Sequence, residues 1–333
     1  MTDITKLPIF TDADLAREYL EKVLWPDGVT CPHCGVVEIG IVAVNTTTRR
    51  KKPLAPGKKH RPARAGIYHC NSCSEQFTVT VGTVMESSHI ALNKWLLAFF
   101  LLCSSKKGIS SHQLHRILGV TYKTAWFMSH RIREAMRLGG LAALAPLGGR
   151  GMVVEADETF QGNLPDVEPG PGYQHKMTVL TLVERGGRAR SFHVDRADAR
   201  NIIPVIYDNI YEETKVMTDD AGYYADHIRT YYRHQVVAHS RGEYARYPMD
   251  PNRPVVHTNT VEGYFSIFKR GMKGVYQHCS EKHLHRYLAE FDFRYSNRSK
   301  LGIEDSQRTD NALAGIKGKR LTYRRAGGPR SEA

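Results

Sequence analysis

Three acids and a lysine stand where they could handle phosphates. Asp157 closes one apolar run, Met152-Val153-Val154-Glu155-Ala156-Asp157, and Asp219 closes another, Lys215-Val216-Met217-Thr218-Asp219. Glu262, Ser266 and Lys269 recur at helical spacing in the stretch from Asn259 to Gly271, so they share one stripe of a helix. Carboxylates gathered at one point repel each other unless divalent cations bind among them, and oxygen-only donors suit Mg2+ or Mn2+. Two such ions can activate a water or a 3′-hydroxyl and stabilise the leaving oxygen of an in-line phosphoryl displacement. A lysine on the face of Glu262 could touch the same phosphate. Plainer readings exist for each residue. Asp at a strand end is commonly a turn residue, and Asn259-x-x-Glu262 resembles a capping box with Asn259 as N-cap. Glu155, Glu158, Asp220 and Glu243 are close enough in sequence to compete for the same role.

A second constellation is built on sulfur. Cys31-Pro32-His33-Cys34 and Cys70-Asn71-Ser72-Cys73 are two CxxC pairs. Each pair can chelate zinc from a tight turn, and together Cys31, Cys34, Cys70 and Cys73 complete a closed tetrahedral site, structural rather than catalytic. The alternatives are His33 or His69 in place of a thiolate, or reduced thiols without metal. The gap between the pairs is longer than a compact zinc site has. It carries Arg49, Arg50, Lys51, Lys52, Lys58, Lys59, Arg61 and Arg64 with no acid among them, and Pro53, Pro56, Gly57 and Pro62 discourage regular structure. A flexible basic finger of this kind fits phosphate contact without sequence readout; a solubilising loop is the alternative.

The composition favours the same partner. The 333 residues hold 47 Lys and Arg against 34 Asp and Glu, a net charge of +13. That balance suits a polyanion, either nucleic acid or an anionic membrane surface. The most apolar run, Ala91 to Cys103, contains Asn93 and Lys94 and is too short to span a bilayer. Met1-Thr2-Asp3-Ile4 lacks the basic-then-apolar pattern of a signal peptide. These features predict a cytoplasmic protein that meets nucleic acid, in which cysteines serve metal or core rather than disulfides.

Positioning the acids requires a sheet. A helix over 10–25 leads into the first CxxC pair. The segments 36–44, 67–68 and 76–81 read as strands of a ribbon, and 90–103 as a buried helix. Residues 109–133 read as helix-turn-helix. Ser110 or Ser111 caps the first helix, and Leu114, Ile117 and Leu118 face inward. Gly119 turns the chain, and Thr121, Tyr122 and Lys123 open a second helix toward bases or phosphates. Gly139 to Gly151 reads as a linker. Strands then follow at 152–157, 176–183 and 189–194 as a meander. A helix over 198–210, a strand over 215–219, a helix over 223–232, a strand over 234–238 and the helix of Glu262 complete the order. The result is a mixed sheet flanked by helices, an α/β architecture, preceded by a zinc ribbon and a helix-turn-helix. The domains expected are 1–85 (N-terminal helix and ribbon with its basic insertion), 86–140 (helix-turn-helix), 150–300 (catalytic) and 301–333 (a basic tail).

Several blocks resemble bacterial insertion-sequence DDE transposases with a ribonuclease-H-like core, of the zinc-ribbon type in the family numbered fifteen-ninety-five. They are CPHCG at 31–35, YHCNSCSEQFTVTVGTVME at 68–86, VEADETFQGN at 154–163, MTDDAGYY at 217–224, HSRGEYAR at 239–246 and HTNTVEGYFSIFKRGMKGVYQHCSEKHLHRYLAEFDFRYSNR at 257–298. The basic insertion between the CxxC pairs departs from the family pattern. The resemblance maps the family's Asp, Asp, Glu or Asn, then Lys onto Asp157, Asp219, Glu262 and Lys269, and favours Asp157 and Asp219 over Glu155, Glu158 and Asp220. It implies Mg2+ or Mn2+ on the three acids, and Lys269 on the DNA backbone. It also implies His257 and Asn259 at the helix start or on the strand, zinc in the ribbon, and cleavage and joining of double-stranded DNA at the element ends. A homodimer or higher synaptic assembly is expected because two ends must be paired. The rival readings are a DNA-binding regulator without catalysis, and a ribonuclease-H-like nuclease that cuts without joining.

Overall fold

The computed structural model describes residues 7–38, 40–44, 65–137, 145–165, 167–229 and 232–322. The basic finger from Arg49 to Arg64 lies outside the described residues. The chain divides into two compact units, one of Met1–Leu101, Leu114–Ala135 and Thr309–Ala333, the other of Leu102–Gln113 and Met136–Arg308.

The first unit begins with helices α1 (Pro8–Thr11) and α2 (Ala13–Leu24). The helix expected over 10–25 is interrupted at Asp12, whose carboxylate accepts the N–H groups of Asp14 and Leu15 and so caps α2. Ala16, Leu20 and Leu24, four residues apart, form its buried stripe. The ribbon is a three-stranded antiparallel sheet in the order β1 (Ile41–Ala43), β2 (Tyr68–Cys70), β3 (Gln76–Phe77). β1 and β3 are shorter than the apolar runs 36–44 and 76–81, whereas β2 runs on into Cys70 of the second CxxC pair. Helices α3 (Leu92–Ser104), α4 (Ser111–Leu118) and α5 (Tyr122–Met136) follow. Ser110 caps α4 by accepting the Gln113 N–H. Gly119 turns at a φ of 59°, where a side chain would be strained. Leu114 and Leu118 are buried, but Ile117 is 46% exposed, contrary to expectation. At 100° per residue it falls off the stripe that its two neighbours share.

The second unit is the expected mixed sheet. Its strands are β4 (Val153–Gln161), β5 (Met177–Glu184), β6 (Ala189–Val194), β7 (Lys215–Thr218) and β8 (Gln235–Val236), in the order β6-β5-β4-β7-β8. The β4–β5–β6 meander is antiparallel, and β7 and β8 add in parallel. Residues of β5 alternate between two cores, which explains its continuous apolar run. Leu180 and Leu182 meet α6 (Ala199–Asn209) and α7 (Gly222–Ile228). Val179 and Val183 meet α8 (Asn259–Gly271) and α9 (Glu281–Ser296).

Two expectations from the sequence are corrected here. The linker read from Gly139 to Gly151 is in part structured: Leu147 bridges to Ile210. The stretch read as a tail contains helix α10 (Asp305–Ala314), and Ala312, Leu313 and Ile316 are buried. Its three apolar residues stand among many polar ones, too few to raise a periodic signal. No described helix is long and apolar enough to cross a membrane.

Candidate active site

The site begins with the register of β4 against β7. Val153, Val154 and Glu155 pair in parallel with Lys215, Val216 and Met217. Two residues beyond the last pair lie Asp157 and Asp219, and residues two apart in a strand share a face. Asp157 does not end its strand, as expected from the apolar run, because β4 continues to Gln161 against β5. It is only the β7 side that ends, which leaves Asp157 open toward Asp219. The Asp219 carboxylate accepts the Ala221 N–H at 3.1 Å, as turn aspartates do.

Asp157 senses the other acids. Burial, then Glu158 and Asp219, with a further contribution from Glu262, push the Asp157 carboxyl up to about 8. Burial also raises Asp219, opposed by the Ala221 N–H and by His239. Glu262 lies on the first turn of α8 and is half exposed. Its Oε1 accepts from the Thr258 hydroxyl at 2.9 Å and lies 3.4 Å from His239 Nε2. Among the described residues no three carboxylate groups bring ligand atoms within 4.8 Å of one another; the four cysteines are the group that does. The oxygen-only donor set and the raised proton affinity of Asp157 both fit a hard divalent cation, which would offset the repulsion. Lys269 is exposed and lines an open groove with Glu158.

The competing acids have other partners. Glu158 accepts the hydroxyls of Tyr223, at 2.8 Å, and Tyr224, while burial raises it to about 7. Asp220 takes the Ser240 hydroxyl. Glu243 accepts the Ala238 N–H at 2.9 Å and lies 3.6 Å from Arg246.

Glu155 is fully buried and fixes the helix that carries Glu262. Its Oε2 accepts the N–H groups of Thr260, at 2.7 Å, and Val261, at 3.0 Å. Its Oε1 accepts the Thr260 hydroxyl at 2.7 Å and Arg185 Nε at 2.5 Å. A carboxylate from another element thus satisfies the orphan donors at the start of α8 and faces the positive end of its dipole. This corrects the expectation that Asn259 caps the helix. Asn259 is its first residue, and the preceding Thr258 spends its hydroxyl on Glu262. Arg185 also donates to the carbonyls of Val255, at 2.7 Å, and His257, at 2.9 Å. His257 Nδ1 lies 3.2 Å from Glu155 Oε1, but this is not an ion pair. Burial and Arg185 lower the proton affinity of the ring, and Nδ1 already accepts from Arg185 and the Asn259 N–H.

In the ribbon, Sγ of Cys31 and Cys73 lie 3.7 Å apart, and those of Cys34 and Cys70 3.6 Å. Four sulfurs each about 2.3 Å from one zinc ion stand about 3.8 Å apart. The quartet therefore fits structural zinc, and neither His33 nor His69 joins it. Backbone N–H groups of Cys73 and Ser72 hold the Cys70 thiol below its ordinary range. Trp25, Tyr68 and Phe77 meet edge-on and stacked beneath the cluster. Thr121, Tyr122 and Lys123 are exposed at the start of α5.

Residues 11–76 match the transposase zinc-ribbon domain, and residues 146–296 match the ISXO2-like transposase domain of the DDE type. This chain belongs to the zinc-ribbon insertion-sequence DDE transposases. The transposase is 27% identical over 310 residues to an uncharacterised protein in the transposable element ISH50 of Halobacterium salinarum, covering 89% of this chain and 95% of the relative. Among solved structures, it aligns with a chain of the simian T-cell lymphotropic virus intasome, solved in complex with the PP2A regulatory subunit B56 gamma. That alignment covers 72% of this chain and 78% of the other, at 12% identity and a TM-score of 0.31.

Structural zinc contributes on the order of 10 kcal/mol in small zinc domains. Cys70→Ser should therefore melt the ribbon of this transposase, seen as a lost zinc equivalent by mass spectrometry and a lost low-temperature transition. Chelation should do the same. A ribbon that keeps its structure without metal would remove the zinc assignment.

Proposed function

We propose that this transposase binds the ends of its element as double-stranded DNA and catalyses divalent-metal-dependent strand cleavage followed by strand transfer. The observation that carries the reading is the β4–β7 register, which sets Asp157 and Asp219 each two residues past its last pair, while Glu262 on α8 adds to the charge that Asp157 feels. In this reading the three carboxylates hold Mg2+ or Mn2+. The bound ions supply an activated water or 3′-hydroxyl and a stabilised leaving oxygen. Lys269 holds the backbone phosphate near the cut. Arg49, Arg50, Lys51, Lys52, Lys58, Lys59, Arg61 and Arg64 add phosphate contacts that vary with salt. Thr121, Tyr122 and Lys123 meet the groove at the start of the second helix of the helix-turn-helix. Two ends must be held together, so the active assembly is a homodimer or larger. The reaction takes place in the cytoplasm, on the nucleoid.

The test is a reaction with DNA carrying the element's terminal repeats and a target plasmid, in Mg2+ or in Ca2+. Cleaved ends and joined plasmid in Mg2+ alone are expected. Cutting without joining would favour a nuclease, and binding without cutting a regulator.

A further inference from the structure

A groove of about 580 Å3 opens beside the far end of β4. Lys176, Lys269 and Lys273 line it, and among the described residues none of the three is in an ion pair. The one acid in the lining, Glu158, already accepts from two tyrosines. Three ammonium groups without an ion-pair partner on one cavity repel each other and call for an anion with several charges. The groove also holds an aromatic platform. Tyr173 is 56% exposed, yet it stacks on Phe160 with ring centroids 4.3 Å apart and planes 11° from parallel. Its loop is closed at the base by the Leu164 N–H donating to His175 O at 2.8 Å and the Lys176 N–H donating to Tyr173 O at 2.9 Å. Phe160 thus supports one face of the ring on a loop whose ends are tied together. Lys176 Nζ lies 5.5 Å from the Tyr173 centroid, on a flexible stem that moves at small cost.

Phosphate and an aromatic face together are what a nucleic-acid strand satisfies. In a duplex both faces of each base are covered, so only an unpaired or extruded base can stack on a protein ring. Phe160 stands three residues beyond Asp157, about 10 Å along β4 and on the other face of the strand, and the groove reaches the face of Asp157 through Thr159 and Gln161. We infer that this groove holds an unpaired nucleotide of the DNA strand at the reaction centre, with its base on Tyr173 and its phosphates on Lys176, Lys269 and Lys273. The inference rests on reading the neighbouring acids as a DNA-cutting centre.

The experiment uses the full chain in Ca2+ and terminal-repeat DNA in two forms, blunt and with a short single-stranded overhang containing 2-aminopurine. Anisotropy gives affinity, and 2-aminopurine quenching gives stacking. The wild type should bind the overhang form more tightly and quench it. Tyr173→Ala should weaken overhang binding at least about fivefold and abolish the quench, with blunt binding unchanged. Tyr173→Phe should retain both. Unchanged overhang affinity and quenching in Tyr173→Ala, with DNA still bound, would overturn the nucleotide site and leave the cutting centre standing. Equal losses on both DNA forms would also overturn it, since the groove would then serve duplex backbone alone. A wild type that binds neither DNA would remove the cutting centre and the nucleotide site together.

Discussion

Asp219→Ala should reduce cleavage of the element's ends by on the order of 10³-fold or more, with end binding in Ca2+ unchanged. The size follows from what the carboxylate would do. A divalent ion that holds the attacking and leaving oxygens supplies several kcal/mol of transition-state stabilisation, and each 1.36 kcal/mol is about a factor of ten. Asp219 lies two residues past the last β4–β7 pair, where among the described residues the Ala221 N–H is the backbone donor that reaches its carboxylate. Its loss removes a ligand without opening the fold, so binding and catalysis should separate. Asp220→Ala is the control. That carboxylate is fully exposed and engaged with Ser240, so its loss should leave cleavage within a few-fold of wild type. Glu262→Gln and Glu243→Gln form the same contrast for the third acid. Retained cleavage in Asp219→Ala in Mg2+ would end the assignment.

Much of this arrangement was legible in the sequence because its signals are local. CxxC spacing sets two chelating turns. The alternating cores of β5 follow from an apolar run that no exposed strand would have. The stripe of Glu262 follows from helical period. What could not be read depends on partners distant in sequence. Asp157 looked like a strand end because the apolar run stops there, yet a β-strand ends separately against each neighbour. Glu155 looked like a rival ligand. Its role depends on Arg185, in the turn between β5 and β6, and on Thr260 and Val261, late in the chain. Asn259 has the residue type of a cap, but tertiary structure offered a stronger acceptor than its own side chain. His239 opens one of the blocks that resemble the family, but its place beside Glu262 comes only from the fold.

Glu155→Gln should destabilise the second unit by about 3 kcal/mol and loosen the start of α8. Four groups donate to this carboxylate: two backbone N–H groups, the Thr260 hydroxyl and Arg185. A glutamine of the same shape turns an NH2 toward some of them, so at least one buried donor loses its acceptor. Arg185 meanwhile loses its charge partner in a site where Glu155 has no exposure. Breaking one side of a buried pair typically costs about 3–5 kcal/mol, and the two carbonyls that Arg185 retains place the expectation at the lower end. Urea denaturation measures the stability. Hydrogen exchange at Thr260 and Val261 tests the local claim, since these two N–H groups should lose protection before the rest of α8. Glu262 is one residue beyond Val261, so cleavage should fall while DNA binding in Ca2+ holds. Wild-type stability and protection at Thr260 and Val261 would show that α8 starts without Glu155, and that the cap lies in its own first turn.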